Sequence, residues 1–145
     1  MQARAAAQEL LDKHFDRIIA SKLIRTHQTV EEVAKIIGFD TSKIEYDDRI
    51  VEYDMGSLTG TPEYRVTSYE LVSADSAEDA NHFRDRVMAF LKEHKDEPGN
   101  TLLVSHAGVG RMIECAKRNL DPKTFYDLES YPNVHIVELD VEWVL

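Results

Sequence analysis

The sequence predicts an α/β fold, a three-layer sandwich in which a mainly parallel central sheet lies between two layers of helices. Three observations lead there. Short apolar runs with the length and branching of buried strands, at residues 16–21 and 101–104, alternate with helical patterns of ten or more residues. Glycines follow the second run where a helix begins, which is the strand-to-helix turn of a parallel sheet. The chain of 145 residues is 43% hydrophobic and holds no composition break or internal repeat, so residues 1–145 read as a single domain with its own core.

In chain order, "QARAAAQELLDKHF" is a helix built from good helix formers, with apolar Ala3, Ala7, Leu10 and Leu11. "DRIIAS" follows as a strand. A second helix is expected at "TVEEVAKIIG", where Thr29 and Glu32 have the spacing of a capping box and Gly38 supplies the stop. Residues 43–64 mix short extended pieces with Gly56, Gly60 and Pro62 and read as a long ordered loop over one end of the sheet. "SAEDANHFRDRVMAFLKEHKD" is the clearest helix: Ser76 with Asp79 caps it, Ala80, Phe83, Val87, Phe90 and Leu91 form one apolar face, and Pro98 and Gly99 end it. Strand 101–104 precedes a helix at "RMIECAKRNL", a short helix at "PKTFYDL" and one or two strands in "NVHIVELDVEWVL".

Composition narrows the function. A formal charge of -10 argues against broad binding to nucleic acid or to an anionic membrane surface, and points to a small partner held in a local pocket. Cys115 is the single cysteine, so no intramolecular disulfide forms, and a reducing compartment fits. The N-terminus lacks a secretory apolar core and no stretch is long enough to span a bilayer, so a cytoplasmic location is expected.

Three separated segments carry the informative side chains. His106 lies at the strand-to-helix turn in "TLLVSHAGVGR", where the N–H groups of the next helix favour an anion such as phosphate. Ser21 and Arg25 follow strand "DRIIA" at its carboxyl end, and Glu52 sits in the glycine-bearing loop. An arginine offers a planar fork for phosphate oxygens, a histidine donates to a third oxygen, and a carboxyl group protonates a leaving oxygen and then deprotonates water. Each residue also has a plainer reading: His106 as a core histidine bonded to backbone, Arg25 as a surface helix-start residue, Glu52 as an ordinary loop acid. Arg111 could equally orient the helix that follows His106 or pair with an acid. Asp47 and Asp48 resemble a metal pair without further ligands at helpful spacing, and no HExxH pattern supports zinc, so neither a metal nor another cofactor is expected.

"SKLIRTHQT", "RIVEYDMGSLTG" and "VSHAGVGR", in that order and at that spacing, resemble the histidine phosphatase superfamily with its phosphoglycerate mutase-like fold. "MQARAAAQEL" is similar to that family's first helix and "NVHIVELD" to its last core strand, so the resemblance covers essentially the whole chain. It implies that Arg25 binds the phosphoryl group, that Glu52 is the general acid and base, and that His106 is the second active-site histidine. Ser21, Gly56, Gly60, Ser105 and Gly108 match positions that shape the pocket, with Ser21, Ser105 and Gly108 as substrate-binding positions.

The family's Arg-His-Gly motif, whose histidine forms the phosphohistidine intermediate, occurs nowhere in these residues. None of His14, His27, His82, His94 and His135 precedes a glycine, and His27 at a helix start is poorly placed to substitute. The expectation is therefore a fold whose first strand is missing from this chain, with roughly 20 to 30 residues of strand and loop before Met1. The function implied is phosphomonoester hydrolysis of a small phosphorylated substrate. A mutase is disfavoured because only residues 53–105 separate the glutamate and histidine segments. A phosphate-binding regulatory module without catalysis is the alternative class, and a receiver-like signalling domain ranks last. An unfilled sheet would also allow strand exchange in a homodimer.

Overall fold

The computed structural model describes residues 2–59, 67–128 and 141–145. Its elements are α1 (Gln2–Leu10), β1 (Arg17–Ser21), α2 (Ile24–Ile37), β2 (Glu45–Asp47), α3 (Ser68–Ser73), α4 (Ala80–His94), β3 (Thr101–Val104) and α5 (Ala107–Lys117). Short 3-10 turns occupy Thr41–Lys43, Asp48–Ile50, Gly56–Leu58 and Pro122–Asp127. The predicted strand at 133–140 and Gly60 lie outside the described residues.

Among the described residues the sheet has three parallel strands, in the order β2-β1-β3. Ile19 of β1 pairs with Glu45 on one side and Leu103 on the other. Successive side chains of β1 enter opposite layers, as the two-residue period of a strand requires. Ile18 and Ala20 pack with Val30 and Ala34 of α2, joined by Leu102 and Val104 of β3. Ile19 packs on the other face among Phe83, Val87 and Phe90 of α4 and Val109 and Met112 of α5, with Leu103 against them. Ala7 and Leu10 of α1 close over Val33 of α2. The expected helix–sheet–helix sandwich is therefore present, and its parallel strands all direct their carboxyl ends to one edge, where ligand sites of such sheets form.

α4 is the helix its sequence predicted: Ala80, Phe83, Val87, Phe90 and Leu91 are all buried. Its cap differs. Asp79 itself accepts from Asn81 N at 2.8 Å and His82 N at 3.1 Å, whereas Ser76 sits in a turn with φ of 62°. α2 begins five residues before the expected Thr29, at Ile24, and the Thr29 hydroxyl donates to the Arg25 carbonyl at 3.1 Å inside the helix. Thr29 thus back-bonds to the preceding turn instead of capping, while burial of Thr26, Val30, Val33 and Ala34 holds the extended helix. The stop at Gly38 is as predicted, with φ of 78°, and its N–H reaches back into the last turn.

α1 ends at Leu10, short of the expected Phe15, because the chain turns at residues 11–12 to enter β1. The region read as a loop contributes β2, whose three residues pair with β1. α5 starts at Ala107, so Gly108 and Gly110 belong to its first turns and do not precede it. α3, absent from the sequence reading, is capped by Thr67, which accepts from Glu70 N at 3.2 Å.

Candidate active site

The carboxyl ends of β1 and β3 bring the candidate residues together. Ser21 ends β1 and is fully buried, and His106 follows β3 as the N-cap residue of α5. His106 Nε2 and Ser21 Oγ share a hydrogen bond of 2.8 Å, with the donor set by the ring tautomer. This contact joins residues 85 positions apart in the chain. Leu23 N donates to the same Ser21 oxygen at 3.4 Å, so one buried hydroxyl links the start of α2 to the start of α5.

Glu52 meets them from the segment after the 3-10 turn Asp48–Ile50. Its Oε1 accepts from Tyr53 N at 2.9 Å and its Oε2 accepts from Gly108 N at 3.2 Å. A Cβ on Gly108 would lie 2.1 Å from Glu52 Oε1, so this glycine makes room for the carboxylate. Ser105 donates through its hydroxyl to Ile50 O at 2.6 Å and ties the same segment to the end of β3. Gly56 lies further along in a tight turn with φ of 56°, its missing side chain replaced by the backbone of Asp75, Ser76 and Ala77.

Arg25 is the second residue of α2, and its side chain is exposed. Its charge reaches His106, whose pKa is held below the ordinary imidazole value. Burial is the chief cause, the charges of Arg25 and Arg86 add to it, and Glu52 opposes it. His106 is therefore a neutral ring at neutral pH, half-buried and flanked by a carboxylate and a guanidinium. The N-cap residues Leu23 and His106 make no side-chain cap to α2 or α5, and of the first-turn N–H groups of α5, which have no intrahelical partner, that of Gly108 is taken by Glu52. Two helix starts, an arginine and a histidine at one sheet edge form a setting suited to a small anion with several oxygens.

Other sequence candidates take structural places. Arg111 is buried with its guanidinium 4.5 Å over the Tyr126 ring, and His27 stacks on Tyr46 at 3.9 Å. Asp48 pairs with Lys22 at 3.2 Å. Among the described residues, Asp47, Glu93 and His94 are the group whose ligand atoms could gather round a metal, within 4.8 Å of one another. Arg49 already bonds both of those carboxylates, which supplies their counter-charge.

The sequence reading missed Arg86 of α4. It reaches the Glu52 segment, donating from Nη2 to Glu52 O at 3.1 Å. The available signal was a charged residue three positions after Phe83 and beside Val87, at the border of the apolar face.

Known proteins resemble the chain over most of its length. The sequence profile of the Histidine phosphatase superfamily (branch 1) matches residues 1–143. A curated protein of Hydrogenobacter thermophilus, named "Putative phosphoserine phosphatase 2", is 24% identical over 158 residues, covering 98% of this chain and 74% of that protein. The native structure of a mycobacterial glucosyl-3-phosphoglycerate phosphatase is similar with a TM-score of 0.68 and 20% identity, over 91% of this chain and 71% of that one. A phosphoglycerate mutase from Bacillus anthracis is similar with a TM-score of 0.66 and 23% identity, over 81% of this chain and 66% of that one. The shared fold is the phosphoglycerate mutase-like one.

Proposed function

This chain belongs to the histidine phosphatase superfamily, and from that premise we propose that its site serves phosphomonoester hydrolysis through a phosphohistidine intermediate. The observation that carries the reading is the meeting of His106, Glu52 and Ser21 at the ends of β1 and β3, with the charge of Arg25 acting on the same ring.

In this reading Arg25 and His106 hold the non-bridging phosphoryl oxygens, where charge shifts in the transition state, and the first-turn N–H groups of α5 add to the field. The nucleophile is a histidine of an Arg-His-Gly segment, which residues 1–145 do not include. Its ring nitrogen forms a bond to phosphorus as the phosphorus–oxygen bond of the ester breaks, and Glu52 gives a proton to the departing alkoxide. Glu52 then takes a proton from water as that water attacks phosphorus, releasing inorganic phosphate and restoring the imidazole. The short separation of the glutamate and histidine segments, and the phosphatase names of two relatives, favour hydrolysis over mutase chemistry.

The test joins two measurements. Inorganic phosphate titrated into the chain should shift the His106 ring resonances saturably, and Arg25→Ala should abolish the shift; an unmoved ring would overturn the reading. The protein from its native source should show an intact mass above 16.6 kDa, an Arg-His-Gly peptide, and hydrolysis of alkyl phosphates that Glu52→Gln largely removes. A mass of 16.6 kDa with phosphate binding and no hydrolysis selects the binding module instead.

A further inference from the structure

We propose that Arg86 is the positioning residue of this site: it fixes the main chain of residues 49–52 so that the Glu52 carboxylate stays against Gly108 and beside His106. The functional meaning of this role rests on the phosphatase reading.

A guanidinium has five N–H donors in a rigid plane. Arg86 makes five contacts. Nε donates to Glu78 Oε2 at 2.7 Å and Nη2 to Glu78 Oε1 at 2.9 Å. Nη1 donates to Arg49 O and to Val51 O, each at 2.8 Å, and Nη2 donates to Glu52 O at 3.1 Å. Its plane lies 4.5 Å over the Phe83 ring, and the side chains of Arg86 and Glu78 are only 13% and 10% exposed. The one carbonyl of 49–52 that Arg86 leaves, Ile50 O, accepts from Ser105 beside His106. Four consecutive carbonyls are thus held by side chains, and the last of them belongs to Glu52.

Glu78 braces the far side. Its Oε1 accepts from Asp54 N at 3.3 Å, its N–H donates to Asp54 O at 2.9 Å, and its carbonyl accepts from the Tyr53 hydroxyl. The segment carrying Glu52 is therefore clasped before, at and after the glutamate. A buried Arg–Glu pair adds little net stability over an apolar pair of similar volume, while its geometry specifies one arrangement. Three of the five Arg86 contacts go to the Glu52 segment, which a pair formed only for packing would not need. The Arg86 charge also contributes to keeping His106 unprotonated, so the same side chain acts on both reacting groups.

The experiment is a double-mutant cycle read at the His106 ring by NMR titration. In the wild-type background, Glu52→Gln should lower the His106 pKa, because the glutamate charge raises it. In an Arg86→Lys background, which keeps the charge but loses the fork, that lowering should shrink to about half or less. A lower Tm for Arg86→Lys with the full Glu52–His106 coupling retained would reduce Arg86 to a structural role and overturn the proposal. Should Arg86→Lys not fold, the wild-type protein decides: a clasped guanidinium gives separate, slowly rotating Nη–H signals for Arg86, and averaged signals would overturn the proposal. Inorganic phosphate that leaves wild-type His106 unmoved would sink the phosphatase reading while leaving the coupling result standing.

Discussion

Replacing Gly108 by alanine separates positioning of the glutamate from stability of the fold. The added Cβ would fall 2.1 Å from Glu52 Oε1 and 3.0 Å from its Cδ, but the clashing atoms are the far end of a flexible side chain. Reaching an ordinary carbon–oxygen contact requires the carboxylate to move by roughly 1 Å, which breaks its bonds to Tyr53 N and Gly108 N. Two such bonds to a half-buried group contribute about 1 kcal/mol each, and alanine in the first turn of α5 restores up to about 1 kcal/mol of helix propensity. The net loss is about 1 kcal/mol, or a Tm lower by about 2–4 °C for a chain of this size. The site should suffer far more, since a misplacement of about 1 Å costs on the order of 100-fold in turnover. Thermal unfolding gives the first quantity and alkyl phosphate hydrolysis by the native protein the second. On the chain itself, NMR titration should find His106 titrating lower, because the displaced carboxylate no longer raises its pKa. A variant that loses several kcal/mol, or whose His106 titration does not move, would refute the geometry.

Gly56→Ala should behave in the opposite way, losing about 3 kcal/mol or more, because its Cβ would meet backbone atoms of Ala77 and Asp75 at 2.4 Å in a left-handed turn; chemical denaturation checks this. Asp79→Ala removes the acceptor for two N–H groups of α4 and should lower stability by about 1 kcal/mol in the same assay. His106 titrates lower in the folded chain than unfolded, so below about pH 6.5 the unfolded state takes up its proton first. Its contribution is complete above that pH and is lost as pH falls toward the folded value, at up to about 1.4 kcal/mol per pH unit. The difference between wild-type and His106→Gln stability curves should carry this slope, and a flat difference across the window would contradict it.

Where a side chain's role depends on its own neighbours along the chain, the sequence was sufficient. The apolar face of α4, the stop at Gly38, the strands β1 and β3 and the parallel layering follow from periodicity, a left-handed cap and branched apolar runs. Ser21, Arg25, Glu52 and His106 were also candidates from the sequence, since they occupy recognisable segments. Their relation was not. The bond between Ser21 and His106 spans 85 positions, and the five contacts of Arg86 reach up to 37 positions back. The start of α2 was misread for the same reason: Thr29 and Glu32 have capping spacing, yet burial of Thr26, and of Val30 against β1, extends the helix past them. Local propensities amount to tenths of a kcal/mol per residue and decide which elements form. Where an element starts and which distant groups a guanidinium or hydroxyl satisfies are decided by burial, because a polar group removed from water must find its partner wherever the fold places one.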